Sequence, residues 1–205
     1  IPVISVVNTA NFDLEGFTVS GGLANLNCVA FSKCLFTGNT FQGPTGDGVN
    51  VIQSRAFFRG DIIQDHSNRG LSIANGSLVQ LAGVTIQNNT AFGVNVVSGS
   101  TLTVLNSTIQ NNGGTGIIAS NQATVRVSGS IIQNNAVMGI SANAASVIWL
   151  ENMSASGNII THNVRNGVRV ADSSFAQITP GNVVTGNGAP DVACAPQFPA
   201  TRGAL

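Results

Sequence analysis

The chain has 205 residues, of which 43 % are hydrophobic and 8 % charged, with eight acidic and eight basic side chains. Typical soluble domains carry roughly 25 % charged residues. The combination of little charge and ample Val and Ile excludes a disordered chain and long solvated helices. No Lys/Arg cluster is present, which argues against nucleic acid as a partner, and no run of 18 apolar residues exists to span a membrane. The chain starts at Ile1 rather than Met, as a processed product does.

Taken in chain order, residues 1–33 hold Asn8 to Gly22 and then an irregular stretch around Cys28 and Cys34, read as a first coil plus a cap. Cys28 and Cys34 are either a small-loop disulfide, which would point to an oxidising compartment, or two buried thiols. Cys194 has no evident partner, and His66 and His162 lie too far apart for a zinc signature.

Residues 34–188 carry a repeat. Ile86-Gln87-Asn88-Asn89, Ile109-Gln110-Asn111-Asn112 and Ile132-Gln133-Asn134-Asn135 recur every 23 residues. Each is followed by a glycine (Gly93, Gly116, Gly139) and an apolar–variable–apolar triplet. The frame runs back to Ile63, His66 and Gly70. It runs forward, past a five-residue insertion between Leu150 and Ile160, to Asn163 and Gly167. A second apolar column contains Val79 and Leu81, Leu102 and Val104, Val125 and Val127, then Ile148 and Leu150. Alternation at period two predicts short strands, with Gly, Asn and Ser turns between them.

One such unit cannot bury its apolar face alone, whereas stacked units pair their backbones and share an interior. The expectation is an all-β, single-domain parallel β-helix over residues 1–205, of about seven coils of about 23 residues. Residues 189–205, with Pro190, Pro196 and Pro199, form a C-terminal cap or tail. Asn39, Asn89, Asn112, Asn135, Asn163 and Asn187 are expected to stack as one column, with His66 taking the place in its coil. A leucine-rich repeat would need Leu at several fixed positions, and a hexapeptide β-helix a six-residue rhythm; neither is present.

These Ile-Gln-Asn-Asn units with their following Gly and Val/Ile triplets resemble the right-handed β-helix repeat of the pectate-lyase-like superfamily. More narrowly, they resemble bacterial secreted right-handed parallel β-helix repeat proteins. The resemblance covers roughly residues 34–190. It implies a secreted, periplasmic or cell-surface protein with a polysaccharide as partner. It also implies that the glycine-led strand lines a saccharide groove. The outward position of that strand reads Asn50, Ser72, Asn95, Ile118, Ser141, Arg169. Thr45-Gly46-Asp47-Gly48 resembles the Asn-Thr-Asp-Gly motif of polygalacturonases, but no Asp-Asp pair, Gly-His-Gly or Arg-x-Lys accompanies it.

Two sets of residues follow as candidates. Asp47, Asp65, His66 and Arg69 fall together in the early coils and hold the chain's acid–base potential for catalysis. A glycosidase needs two carboxylates about 5–9.5 Å apart, and a lyase needs a base with Arg or Ca²⁺ beside it. Substrate binding falls to Asn50, Asn95, Arg169 and the single tryptophan, Trp149, which Arg126 precedes by one coil. No metal or other cofactor is expected, Ca²⁺ entering only with a lyase. The favoured reading is an extracellular module that binds carbohydrate or serves a surface role. The alternative is a polysaccharide lyase or glycoside hydrolase acting on acidic glycans. A flat, uncharged β face also suits homo-oligomerisation.

Overall fold

The computed structural model describes residues 1–43, 46–152 and 156–195. These fold as an all-β parallel solenoid of about eight turns, built from three sheets that run its length. Sheet A has strands Ile4–Val7, Ala24–Val29, Asp47–Ile52, Leu71–Ala74, Val94–Val97, Ile117–Ser120, Ile140–Ala142, Val168–Val170 and Val192–Cys194. Sheet B runs from Phe12–Glu15 through Lys33–Thr37, Arg55–Arg59 and their successors to Phe175–Ile178. Sheet C runs from Thr18–Ser20 to Val183–Thr185. Every pairing is parallel and links one coil to the next, as Leu71↔Val94 and Val94↔Ile117 show.

The two apolar columns predicted from alternation point inward. Val49, Leu71, Val94, Ile117 and Ile140 stack on sheet A, and Leu81, Val104, Val127 and Leu150 on sheet B, all buried. Toward the N-terminus the filling changes to aromatic. Phe36 stacks on Phe58 at 4.7 Å and meets Phe41 edge-on at 5.7 Å. Bulky rings occupy the interior where the coil is 22 residues long, as in Phe36↔Phe58 and Phe41↔Ile63.

One feature departs from the sequence-based reading. The stretch around Cys28 and Cys34 is regular rather than irregular. Cys28 faces inward from sheet A, Cys34 faces inward from sheet B, and the two form a disulfide across the interior corner of the second coil. The first coil already carries all three strands, in register with the second (Ile4↔Leu26, Phe12↔Cys34, Thr18↔Thr40). The chain therefore makes one turn more than its recognisable repeats. At the other end Val192–Cys194 adds a further strand to sheet A, and residues 196–205 of the expected cap or tail lie outside the described residues.

Each corner of the coil is tied by a column of side-chain acceptors that take a backbone N–H from the coil before. At the corner from A to B these are serines: the N–H groups of Ser32, Ser54 and Ser77 donate to the Oγ of Ser54, Ser77 and Ser100. At the corner from C to A they are asparagines. Asn89, Asn112 and Asn135 each donate backbone N–H and Nδ2 to the Oδ1 of the next, 2.9–3.2 Å away. The conspicuous Asn and Ser content is thus accounted for by buried backbone groups that need partners at turns. Asn39, expected in the Asn89 column, belongs to the corner from B to C. There it accepts from the Phe17 N–H and donates to Asp61.

Candidate functional site

The corner from C to A governs the candidate cluster. His66 stands in the asparagine column, with its backbone N–H and Nδ1 both at Asn89 Oδ1 (3.2 and 2.8 Å). Its Nε2 lies 2.6 Å from Asn25 Oδ1. Asn25 is fixed in that orientation because its Nδ2 donates to the carbonyls of Gly21 and Gln42. The ring is buried and both nitrogens are engaged. Burial pulls its pKa below the ordinary imidazole value, against the opposing pull of the Asn89 hydrogen bond, Asp65 and Asp47.

Asp47 and Arg69 stack on neighbouring coils, as the register predicts. Asp47 Oδ1 accepts from both Nε (3.0 Å) and the backbone N–H (3.2 Å) of Arg69, and the pair is partly exposed at the edge of sheet A. Asp65 has a positive φ of 60°, and its Oδ1 accepts from Asn88 Nδ2. A shallow hollow above it is lined by Asp65, His66, Ser67, Asn88 and Thr90. Neither Asp47 nor Arg69 lines that hollow, so the four residues do not converge on one cavity.

Asp61, fully buried, is a further acidic group of this region. It accepts from the Asn39 N–H, Asn39 Nδ2 and the Arg59 N–H at 2.8–2.9 Å. Burial nevertheless holds its pKa above the ordinary carboxylate value. Its role is that of the turn acceptors around it.

The substrate-binding candidates divide between two faces. Asn27, Asn50, Ser72, Asn95, Ile118, Ser141 and Arg169 follow one another in register down the outer face of sheet A. Asn50 Nδ2 donates to Asn27 Oδ1 at 3.0 Å, and Arg169 reaches Asn143 Oδ1 at 3.1 Å. Trp149 lies on sheet B instead. Arg126 covers its ring at 5.5 Å while pairing with Glu151 at 2.8 Å, and Phe175 meets its edge. The tryptophan is therefore already occupied by its own neighbours. Among the described residues no group of three or more His, Cys, Asp or Glu side chains is placed to hold a metal ion. Among the described residues no helix is long and apolar enough to cross a membrane.

A stack of about eight parallel coils with an asparagine column and a polar sheet face defines a parallel β-solenoid. The family model "Right handed beta helix region" matches residues 24–189, and the chain belongs to that family. Among solved structures it is similar to the A-module of the mannuronan C-5 epimerase AlgE6 of Azotobacter vinelandii. The TM-score is 0.60 at 16 % identity, over 93 % of this chain and 61 % of that module. The likeness is one of fold, and the chain spans less than two thirds of its neighbour. No curated protein sequence matches the chain.

Proposed function

We propose that this chain is an extracellular module that binds polysaccharide along the outer face of sheet A. The observation that carries this reading is the column Asn27, Asn50, Ser72 and Asn95, four polar side chains in register on successive coils, the first two half-buried and the last two 8 % exposed. Successive strands are about 4.8 Å apart, close to the length of one pyranose residue. A glycan lying along the stack passes one amide or hydroxyl per coil, of which those of Asn27 and Asn50 are the more accessible and those of Ser72 and Asn95 lie nearly flush with the sheet. Amides both donate and accept, which suits hydroxyl-rich ligands. The Asp47–Arg69 pair and Arg169 border the face at two heights. The buried Cys28–Cys34 disulfide supports an oxidising, extracellular location, and the similar solved structure is named for an enzyme of a polysaccharide.

Affinity electrophoresis in gels containing alginate, polygalacturonate or neutral glucans tests this. Retardation of the wild type by at least one gel, reduced by Asn50→Ala/Asn95→Ala, is expected. Unretarded migration in all of them refutes the reading.

The catalytic alternative, a lyase or hydrolase of acidic glycans, rests on Asp47, Asp65, His66 and Arg69. His66, with both ring nitrogens held inside the corner, is not free to exchange a proton with a substrate on the surface. Asp47 beside Arg69 is the acid–base group that faces sheet A. Release of unsaturated or reducing ends from the same polysaccharides, abolished by Asp47→Asn, would establish that reading.

A further inference from the structure

The turn from sheet A to sheet B has three residues before its strand in nearly every coil. Ala30-Phe31-Ser32, Asn75-Gly76-Ser77 and Ser98-Gly99-Ser100 follow Val29, Ala74 and Val97. In the third coil it has two, Gln53-Ser54, because Val29 pairs with Ile52 while Lys33 pairs with Arg55. This one-residue shortening leaves a notch of about 410 Å³ between the turns above and below, lined by Phe31, Lys33, Gln53, Arg55, Asn75 and Gly76. At Lys33 it meets a second hollow of about 450 Å³ on the face of sheet B, which Asp13, Leu35 and Phe57 help to line.

Two observations set this place apart. A positive φ recurs at this turn position, as at Gly76 (70°), Gln122 (64°) and Ala145 (59°), and the residue that carries it here is Phe31 (65°). Its ring is 78 % exposed at the rim, where its burial contributes nothing to the fold. Finally, Lys33 and Arg55 stand side by side on adjacent coils, and neither enters an ion pair among the described residues, where the pairs are Asp47–Arg69 and Arg126–Glu151. Asp13 and Glu15 lie one coil away from Lys33 on the same sheet face, and Arg59 adds a third cation to it.

We infer that this notch is a second saccharide subsite, selective for a carboxylated sugar. The Phe31 ring stacks on the pyranose, and Lys33 with Arg55 pairs with the uronate carboxylate. Two neighbouring cations that enter no ion pair among the described residues match a ligand that carries one negative charge per sugar. The exposed aromatic supplies the apolar face that such a sugar ring also needs. The inference rests on the reading of this chain as polysaccharide-binding. It places the preference for acidic over neutral glycans at the corner from A to B, away from sheet A.

Isothermal titration calorimetry of the whole chain with tetragalacturonate, tetramannuronate and neutral maltotetraose tests it. An acidic tetramer is expected to bind, and maltotetraose to bind at least about tenfold more weakly, the effect of hydrogen bonds to charged groups. Lys33→Gln/Arg55→Gln is expected to lower the acidic affinity by about tenfold or more on the same grounds. Phe31→Gly is expected to lower it too without lowering Tm, since glycine is the residue this backbone conformation favours. If both variants keep wild-type affinity while Asn50→Ala/Asn95→Ala abolishes binding, the notch is overturned and the sheet A reading stands. Equal affinity for maltotetraose overturns the charge selectivity on which the inference is built. No binding of any tetramer overturns the notch and the polysaccharide reading together.

Discussion

His66 shows how a residue with catalytic chemistry can be used for its shape. It fills an asparagine position and reaches further than asparagine does, linking Asn89 of the next coil to Asn25 of the coils before. His66→Ala would leave Asn25 Oδ1 without its ring partner, leave Asn89 Oδ1 with the backbone N–H alone, and open a void. Unpaired buried polar groups cost roughly 1–3 kcal/mol each, so a loss of about 3 kcal/mol is expected in urea unfolding. His66→Asn would restore the ladder bond to Asn89 and leave only Asn25 unpaired, a cost of about 1 kcal/mol. The pH dependence follows from the lowered pKa. The unfolded chain takes up the imidazole proton first, so this contribution is full above the ordinary value of 6.5 and is lost as pH falls from there toward the folded value. Asp61 acts with the opposite sign and at lower pH. Its raised pKa lets the folded state keep a proton that the unfolded state releases, so stability is regained as pH falls through that value. Unfolding midpoints of wild type and His66→Asn, compared at pH 7.5 and 5.5, should converge at the acid side. Parallel curves would show that His66 does not titrate.

At the scale of the strand and turn, the glycine and asparagine columns are one device. A Cβ added at Gly93 would lie 2.7 Å from the Gly116 carbonyl and 2.9 Å from Asn112 Nδ2. The ladder amide therefore packs against the bare backbone of the coil before. Gly93→Ala should cost about 3 kcal/mol, as overpacking against backbone does. Gly99→Ala meets no atom within 4 Å and has only its positive φ of 68° to overcome, a cost of about 1 kcal/mol. Thermal melts of the two variants provide the comparison, and equal losses would refute the coupling. The sequence displays both columns because each repeats at 23 residues, so coil length, strand alternation and the outward row on sheet A were legible from spacing alone. What defeated spacing was change in coil length. Asn39 was assigned to the wrong corner because it lies 27 residues before His66, whereas the early coils are 22 residues long and bring Asn39 against Asp61. The first coil was expected within residues 1–33 without its strands being placed, because it lacks the Ile-Gln-Asn-Asn marker, although Val6 and Val19 still fill the core. The notch arises from one missing turn residue, which becomes visible only once Lys33 and Arg55 are seen in register. His66, Asp65, Asp47 and Arg69 fall in the same coils, yet the hollow at this corner takes in Asp65 and His66 and neither Asp47 nor Arg69.

For the molecule as a whole, stability is a sum of coils and of the contacts between successive coils. An end coil has one neighbour, and both ends here expose apolar side chains. Phe17 and Leu23 are 58 % and 68 % exposed near the N-terminus, and Phe175 and Val192 51 % and 45 % near the C-terminus. The two ends differ in one respect. Cys28 and Cys34, six residues apart, tie sheets A and B together in the second coil, whereas Cys194 is free. Closing so short a loop is worth about 2 kcal/mol through the unfolded chain. In a solenoid this gain is local, because each coil contacts only its neighbours. Hydrogen exchange should therefore be slowest in the strands between Leu71 and Glu151. Protection should fall off steeply over Phe175–Ile178 and Val192–Cys194, and more gently over Ala24–Val29 and Lys33–Thr37. Reduction of the disulfide, or Cys28→Ser/Cys34→Ser, should make the N-terminal strands exchange as fast as the C-terminal ones while the central strands keep their rates. If reduction instead accelerated exchange uniformly along the chain, the coils would be unfolding as a single cooperative unit, and the nearest-neighbour account of this stack would be wrong.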